Sequence, residues 1–219
     1  MNDPVKQDSL PVVLKVHGLS FAYPGRYVFT DWTHDFVPGI TWVKGHNGCG
    51  KSTLLKLLGG ALNPISGHVA IGTIQAGHKP LAYRQAVFYC GPGPISFDHL
   101  SPSEYFGFMR SLYPAIDEEG LAQHVEGFGL HPFLNVPLAL LSTGTQRKAW
   151  LAMALAAGTR VTLIDEPFNA LDVKSLAYLR LALHRCANAL SSAWIVASHE
   201  DQGVLASHGA ILELTAPRP

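Results

Sequence analysis

The sequence predicts a mixed α/β fold, with a core built around a phosphate-binding turn, β-rich stretches ahead of it and an inserted helical lobe. Three observations carry this. Residues 45–52 read Gly-His-Asn-Gly-Cys-Gly-Lys-Ser, between the apolar run Ile40 to Val43 and the helical pattern Thr53 to Leu58. Strand, glycine-rich turn and helix in that order form the context such a turn requires. A second apolar strand, Val161 to Ile164, ends in the paired acids Asp165 and Glu166. Between the two, from Ser101 to Leu140, short helical pieces are punctuated by Pro102, Pro114, Pro132 and Pro137, which marks a separate helical lobe.

The elements follow in order. Val12, Leu14 and Val16 recur at alternate positions up to Gly18, a strand period. Phe21 to Gly25 ends in a turn, and a β-rich stretch leads through Pro38-Gly39 to the phosphate loop. Gly59-Gly60 close the helix behind the loop. Asn63 to Gly67 form a turn cluster, and His68 to Ile74 alternate as a strand. Ala86 to Tyr89 reads as a short buried strand, stopped by Cys90-Gly91-Pro92-Gly93-Pro94. A helix over Gln146 to Ala157, the acidic strand, a helix over Val173 to Leu190 and a strand over Trp194 to Ala197 complete the pattern. These make one domain over 12–214, its helical lobe at about 98–157, with short flexible ends at 1–11 and 215–219.

Composition narrows the function. Lys plus Arg and Asp plus Glu are 16 each in 219 residues, so no basic footprint for nucleic acid is present. Charged residues make up 15% against 47% apolar, a surface poor enough in charge to accept a partner. No apolar run approaches the roughly 20 residues of a membrane span, and Met1 to Ser9 lacks the apolar centre of a signal peptide. The chain is therefore expected in the cytosol. Cys49, Cys90 and Cys186 suggest neither a disulfide framework nor a zinc site, and the histidines show no i,i+4 ligand pair.

Glycines in the 45–52 turn let successive N–H groups face a phosphate chain, and the following helix adds its positive end. Lys51 is placed to reach the β- and γ-phosphates and the Ser52 hydroxyl to bind Mg²⁺. Paired carboxylates ending a buried strand need a charge to meet. Asp165 is assigned to the Mg²⁺ shell and Glu166 to polarising the attacking water. His46 reads as a tolerated substitution. Cys49, near a helix N-terminus and Lys51, is expected to be a reactive thiol that nucleotide protects. Arg147 and Lys148 could reach a phosphate; a solvated helical turn or partner contacts account for them better.

Further residues fall in a specific order. Leu141-Ser142-Thr143-Gly144-Thr145 precede the 146–157 helix, Ala170-Leu171-Asp172 follow the acidic strand, His199 ends the next strand, and Tyr23 precedes the loop. Together with the loop they resemble the ATP-binding cassette (ABC) ATPases from about Val12 to Leu214. The resemblance implies a P-loop NTPase core with an antiparallel β subdomain and an inserted helical subdomain, working with ATP and Mg²⁺. It implies that Tyr23 stacks on adenine while Gly45, His46, Asn47, Gly48, Cys49, Gly50, Lys51, Ser52 and Thr53 hold the phosphates. Ser52 and Asp165 would hold the metal, with Lys51, Glu166 and His199 catalytic. Ser142 and Gly144 would grip ATP bound to the opposite subunit, and Asp172 would communicate across the dimer.

The implied partners are a second nucleotide-binding subunit, identical or related, and a separate transmembrane permease at the inner face of the cell membrane. The expected function is the ATP-hydrolysing subunit of a transporter, an exporter of the small bacterial kind. The alternatives are a soluble, non-transport cassette ATPase and a weakly hydrolysing regulatory module. Two departures stand out. The family's Ser-Gly-Gly-Gln is here Ser142-Thr143-Gly144-Thr145. The glutamine expected after the 86–89 strand is absent, its place falling at Pro92 or Gly91, so either another group couples or hydrolysis is slow.

Overall fold

Strand β1 (Leu14–Tyr23) turns through Pro24-Gly25 into β2 (Arg26–Phe36), and the chain then crosses to β3 (Gly39–Lys44) of a different sheet. The computed structural model describes residues 11–93, 97–188, 191–199 and 209–215. The expected chain ends, Pro94 and the last two residues of the helix expected over 173–190 lie outside the described residues, apart from Pro11 and Thr215.

Two sheets organise the molecule. The first is antiparallel, in the order β2-β1-β4-β5, with β4 at Ser66–Ile71 and β5 at Ile74–Gln75. The single strand expected over 68–74 is thus a hairpin, because Gly72 adopts φ 58 and turns the chain back. The second sheet runs β6-β7-β8-β3-β9, every pairing parallel, with β6 at Val87–Cys90, β7 at Val161–Asp165, β8 at Ala193–Ser198 and β9 at Ala210–Glu213. All residues of β7 and β8 are buried, which is why both read as mostly apolar runs, interrupted only by Thr162 and ending in Asp165 and Ser198.

Helix α1 (Lys51–Leu58) is too short to hold alone, since isolated helices need about 12–15 residues. Leu54, Leu55, Leu57 and Leu58 are each at most 1% exposed. At about 1.5–3 kcal/mol per buried side chain, their packing supplies what length does not. Helix α2 (Pro80–Ala86), unexpected from the sequence, starts on a proline and is held by the Tyr83 hydroxyl donating to the Leu58 carbonyl at 2.5 Å.

The helical lobe comprises α3 (Pro102–Leu112) and α4 (Glu118–Gly127). Ser101 and Glu104 close a capping box on α3 and Asp117 caps α4, so both helices begin where side chains satisfy free N–H groups. Helix α5 (Thr143–Ala156), capped by Ser142, joins lobe to core: Trp150, Leu151 and Met153 share one apolar cluster with Tyr105 and Leu121 of the lobe and Trp42, Phe88 and Ile164 of the sheet. Helix α6 (Val173–Ala187) packs on the same cluster. The other face of the parallel sheet closes against α1 and the antiparallel sheet.

Register sets the functional geometry. Lys44 pairs with Ser198, Asp165 with Ala197 and Cys90 with Ile164. The segments that follow these strand ends, beginning at Gly45, Gly91, Glu166 and His199, therefore emerge along one edge, where α/β sheets bind ligands.

Candidate active site

The loop between β3 and α1 is held in shape by glycine. Gly48 has φ 78 and Gly50, the residue before α1, has φ 108. A Cβ on Gly50 would also lie 2.8 Å from Val28, so conformation and space both exclude a side chain. The Lys51 ammonium donates to the carbonyls of Gly45 at 2.7 Å and His46 at 3.3 Å, which holds it over the loop. It lies 3.9 Å from the Glu166 carboxylate.

Glu166 connects the groups at the sheet edge. Its other carboxylate oxygen is 2.9 Å from His199 Nδ1. An ionised Glu166 requires that nitrogen to donate, leaving Nε2 as the imidazole's remaining ring nitrogen. Glu166 has φ 47, a left-handed conformation uncommon for a residue with a side chain. Lysine, glutamate and histidine from three separate segments thus meet at the phosphate loop.

Asp165 sits directly behind. It is 0% exposed, and neither carboxylate oxygen completes a hydrogen bond with a protein donor. Burial pushes its carboxyl above the usual range, opposed chiefly by the nearby Ser52 hydroxyl, with Glu166 adding to the rise and Arg147 and Lys51 countering it. A buried carboxylate with both oxygens unpartnered, beside a hydroxyl and an ammonium, fits a divalent cation as the missing partner.

The space in front of the loop is a cavity of about 450 Å³ lined by Tyr23, Asn47, Gly48, Gly50, Lys51, Ser52, Thr53 and Glu166. Tyr23 is 43% exposed, and its hydroxyl lies 3.4 Å from Thr53 Oγ1, so its ring stands at the cavity wall. Arg26 and Val28 line it too, and Arg26 donates to the Gly48 carbonyl at 3.0 Å. Sequence reasoning missed both. The signal was the turn at Pro24-Gly25, which folds β2 back past the loop. His46 and Asn47 line a neighbouring cavity of about 490 Å³, together with His199.

Two expectations are corrected. Cys49 is 3% exposed and packs in the core beneath the loop, its sulfur 2.5 Å from where a Gly45 Cβ would lie. Its N–H donates to the His46 carbonyl at 3.3 Å, within the loop itself. A thiol so enclosed is a packing group rather than a reactive one. Arg147 is likewise no solvated residue. At 3% exposure its guanidinium donates to the carbonyls of Asp165 (2.6 Å), Glu166 (3.1 Å) and Gly91, with Cys90 Sγ at 3.6 Å.

The Ser142 hydroxyl accepts from the Thr145 N–H at 3.2 Å and caps α5. Gly144 packs so closely on the turn after β7 that an added Cβ would sit 2.5 Å from the Ala170 carbonyl. Neither residue lines the cavity at the phosphate loop. Asp172 caps α6 by accepting from Ser175 N at 2.9 Å and pairs with Lys148 at 2.6 Å, contacts that hold its carboxyl far below the usual range.

These features define a phosphate-loop ATPase with a separate, exposed turn at Ser142-Thr143, the segment that resembles the family's signature motif. The ABC transporter family matches residues 37–169, and the chain belongs to that family as an ATP-binding, ATP-hydrolysing subunit. Among relatives, the cytochrome c biogenesis ATP-binding export protein CcmA of Pseudomonas savastanoi pv. phaseolicola is 33% identical over 170 residues, 77% of this chain and 80% of that protein. The CcmA of Rhodospirillum rubrum is 31% identical over 197 residues, 89% and 83% of the two chains. A solved ATP-binding subunit of an ABC transporter superposes with a TM-score of 0.82 at 23% identity, covering 92% of this chain and 85% of its own, a likeness of fold.

Proposed function

We propose that the chain drives an export system by closing, with a second cassette, around two ATP molecules, and that it does so at the cytoplasmic face of a membrane beside a separate permease. The observation that carries this is the separation of Ser142 and Gly144 from the chain's own phosphate cavity, on a turn where Ser142 and Thr143 are exposed and Gly144 is half-buried, which leaves the turn open to a second subunit. No described helix is long and apolar enough to cross a membrane; in this reading the spanning part belongs to the permease. The relatives named for cytochrome c biogenesis export favour that class of cargo route.

Each residue then has a task. Tyr23 stacks on the base, the loop N–H groups and Lys51 hold the β- and γ-phosphates, and Ser52 with Asp165 would hold Mg²⁺. The cation would supply charge neutralisation at the phosphate oxygens. Glu166 takes a proton from water as it attacks, and His199 holds the Glu166 carboxylate towards the γ-phosphate end. Hydrolysis removes the link between subunits and the pair opens.

The test is Glu166→Gln with Mg-ATP on size-exclusion chromatography. The neutral amide keeps the shape but cannot take the proton, so the protein is expected at twice the monomer mass. A variant that binds ATP yet stays monomeric would overturn the symmetric pair in favour of an unlike partner cassette.

A further inference from the structure

We infer that Arg147 is a positioning residue for hydrolysis, fixing the backbone conformation that aims Glu166. The inference rests on the reading of Glu166 as the residue that polarises water. Glu166 sits at φ 47, a conformation that persists only where its surroundings hold it. The two carbonyls flanking that torsion, of Asp165 and Glu166, both accept from one nitrogen of Arg147, Nη2, at 2.6 and 3.1 Å. From the other side the Glu166 N–H donates to the Ala197 carbonyl at 2.8 Å. The peptide planes on both sides of Glu166 are thus pinned, and the side chain is left pointing between Lys51 and His199.

The other end of the guanidinium, Nη1, donates to the Gly91 carbonyl and approaches Cys90 Sγ. This is the segment where the expected glutamine is missing, so Arg147 ties the glutamine-less turn to the backbone of the paired acids. A planar fork reaches all these acceptors together, which a lysine ammonium cannot do. Among the described residues no ion pair joins Arg147 to a carboxylate. A cation buried against carbonyls is costly to place. Its charge bears on the nearby Asp165 carboxyl, while its hydrogen bonds, all to backbone carbonyls apart from Cys90, enforce the geometry at Glu166. Because Arg147 lies on the second turn of α5, behind Ser142, a shift of the signature turn would reach Glu166 through the same side chain.

The test is a double-mutant cycle on purified protein with Mg-ATP. Arg147→Met is expected to lower kcat about 10- to 100-fold while KM and the affinity for a fluorescent ATP analogue stay within about twofold. Arg147→Lys is expected to recover part of the rate. In a Glu166→Gln background the same Arg147→Met change should cost less than about threefold, because the group it aims is already disabled. An equal loss in both backgrounds, or a loss of nucleotide affinity in step with rate, would overturn the inference. If Arg147→Met fails to fold, Arg147→Lys is read through the same cycle. Wild-type rates in Glu166→Gln alone would instead remove the assignment of Glu166, a distinct failure.

Discussion

Lys51 carries the largest single burden in the site, because its ammonium is 6% exposed and held between two loop carbonyls and a carboxylate. Truncating one partner of a desolvated charge pair costs about 2–5 kcal/mol. Lys51→Ala should therefore weaken binding of a fluorescent ATP analogue roughly 100-fold. An unchanged dissociation constant would detach the loop from phosphate binding. At Pro92 the expectation runs the other way. The residue is exposed, next to a Gly91 carbonyl that Arg147 already holds, so a longer side chain can project without repacking. If a polar contact to water or metal is lacking there, Pro92→Gln should raise kcat by up to about 100-fold with nucleotide affinity unchanged. A rate that stays level would show that the glycine-proline turn serves another purpose.

Among elements, α5 depends on close approach at its first turn. A methyl at Gly144 would stand 2.5 Å from the Ala170 carbonyl, and Ala170 itself has φ 62, so the turn has little freedom to yield. Gly144→Ala should displace the signature turn, reducing ATPase activity at least about tenfold in measured turnover. ATP-analogue affinity should be spared in the isolated subunit, since Gly144 does not line its own cavity.

The contact between α4 and α6 should respond to pH. His124 lies against the Tyr178 hydroxyl at 2.8 Å, and burial pulls its pKa down to about 4, with Arg185 also lowering it and Asp117 opposing. Between that value and the ordinary 6.5 the unfolded chain binds a proton that the folded chain refuses. The contribution of neutral His124 is complete above about pH 6.5 and declines as pH falls towards 4, by at most about 1.4 kcal/mol per pH unit. Melting temperatures across this range should fall less steeply with acid in His124→Gln than in wild type. Parallel curves would refute the role of His124.

At the scale of the whole molecule, composite sites predict complementation. Lys51→Ala disables a subunit's own loop, and Ser142→Arg disables the surface it offers a partner. Each variant alone should be nearly inactive. Mixed subunits should recover ATPase activity, because one of their two sites pairs an intact loop with an intact signature. Mixtures as inactive as the separate variants would mean that Ser142 does not serve a neighbour's ATP.

The phosphate loop and the acidic strand end were legible because local sequence dictates them. Glycine is strongly favoured at φ 78 and 108, positions 48 and 50, and a strand buried on both faces accounts for the mostly apolar run Val161 to Ile164. Helix α2 and strand β9 were not legible: α2 has seven residues and β9 four, and both are decided by what they pack or pair against. The burial of Cys49 and the reach of Arg147 were hidden for the same reason, since each depends on neighbours far along the chain. Chemistry carried by consecutive residues, the glycine turn with its lysine and serine and the paired acids, was determined by sequence alone. Bringing Glu166 and His199 to Lys51 and pinning Glu166 through Arg147 fell to tertiary structure, because parallel-strand register and side-chain reach are properties of the assembled sheet.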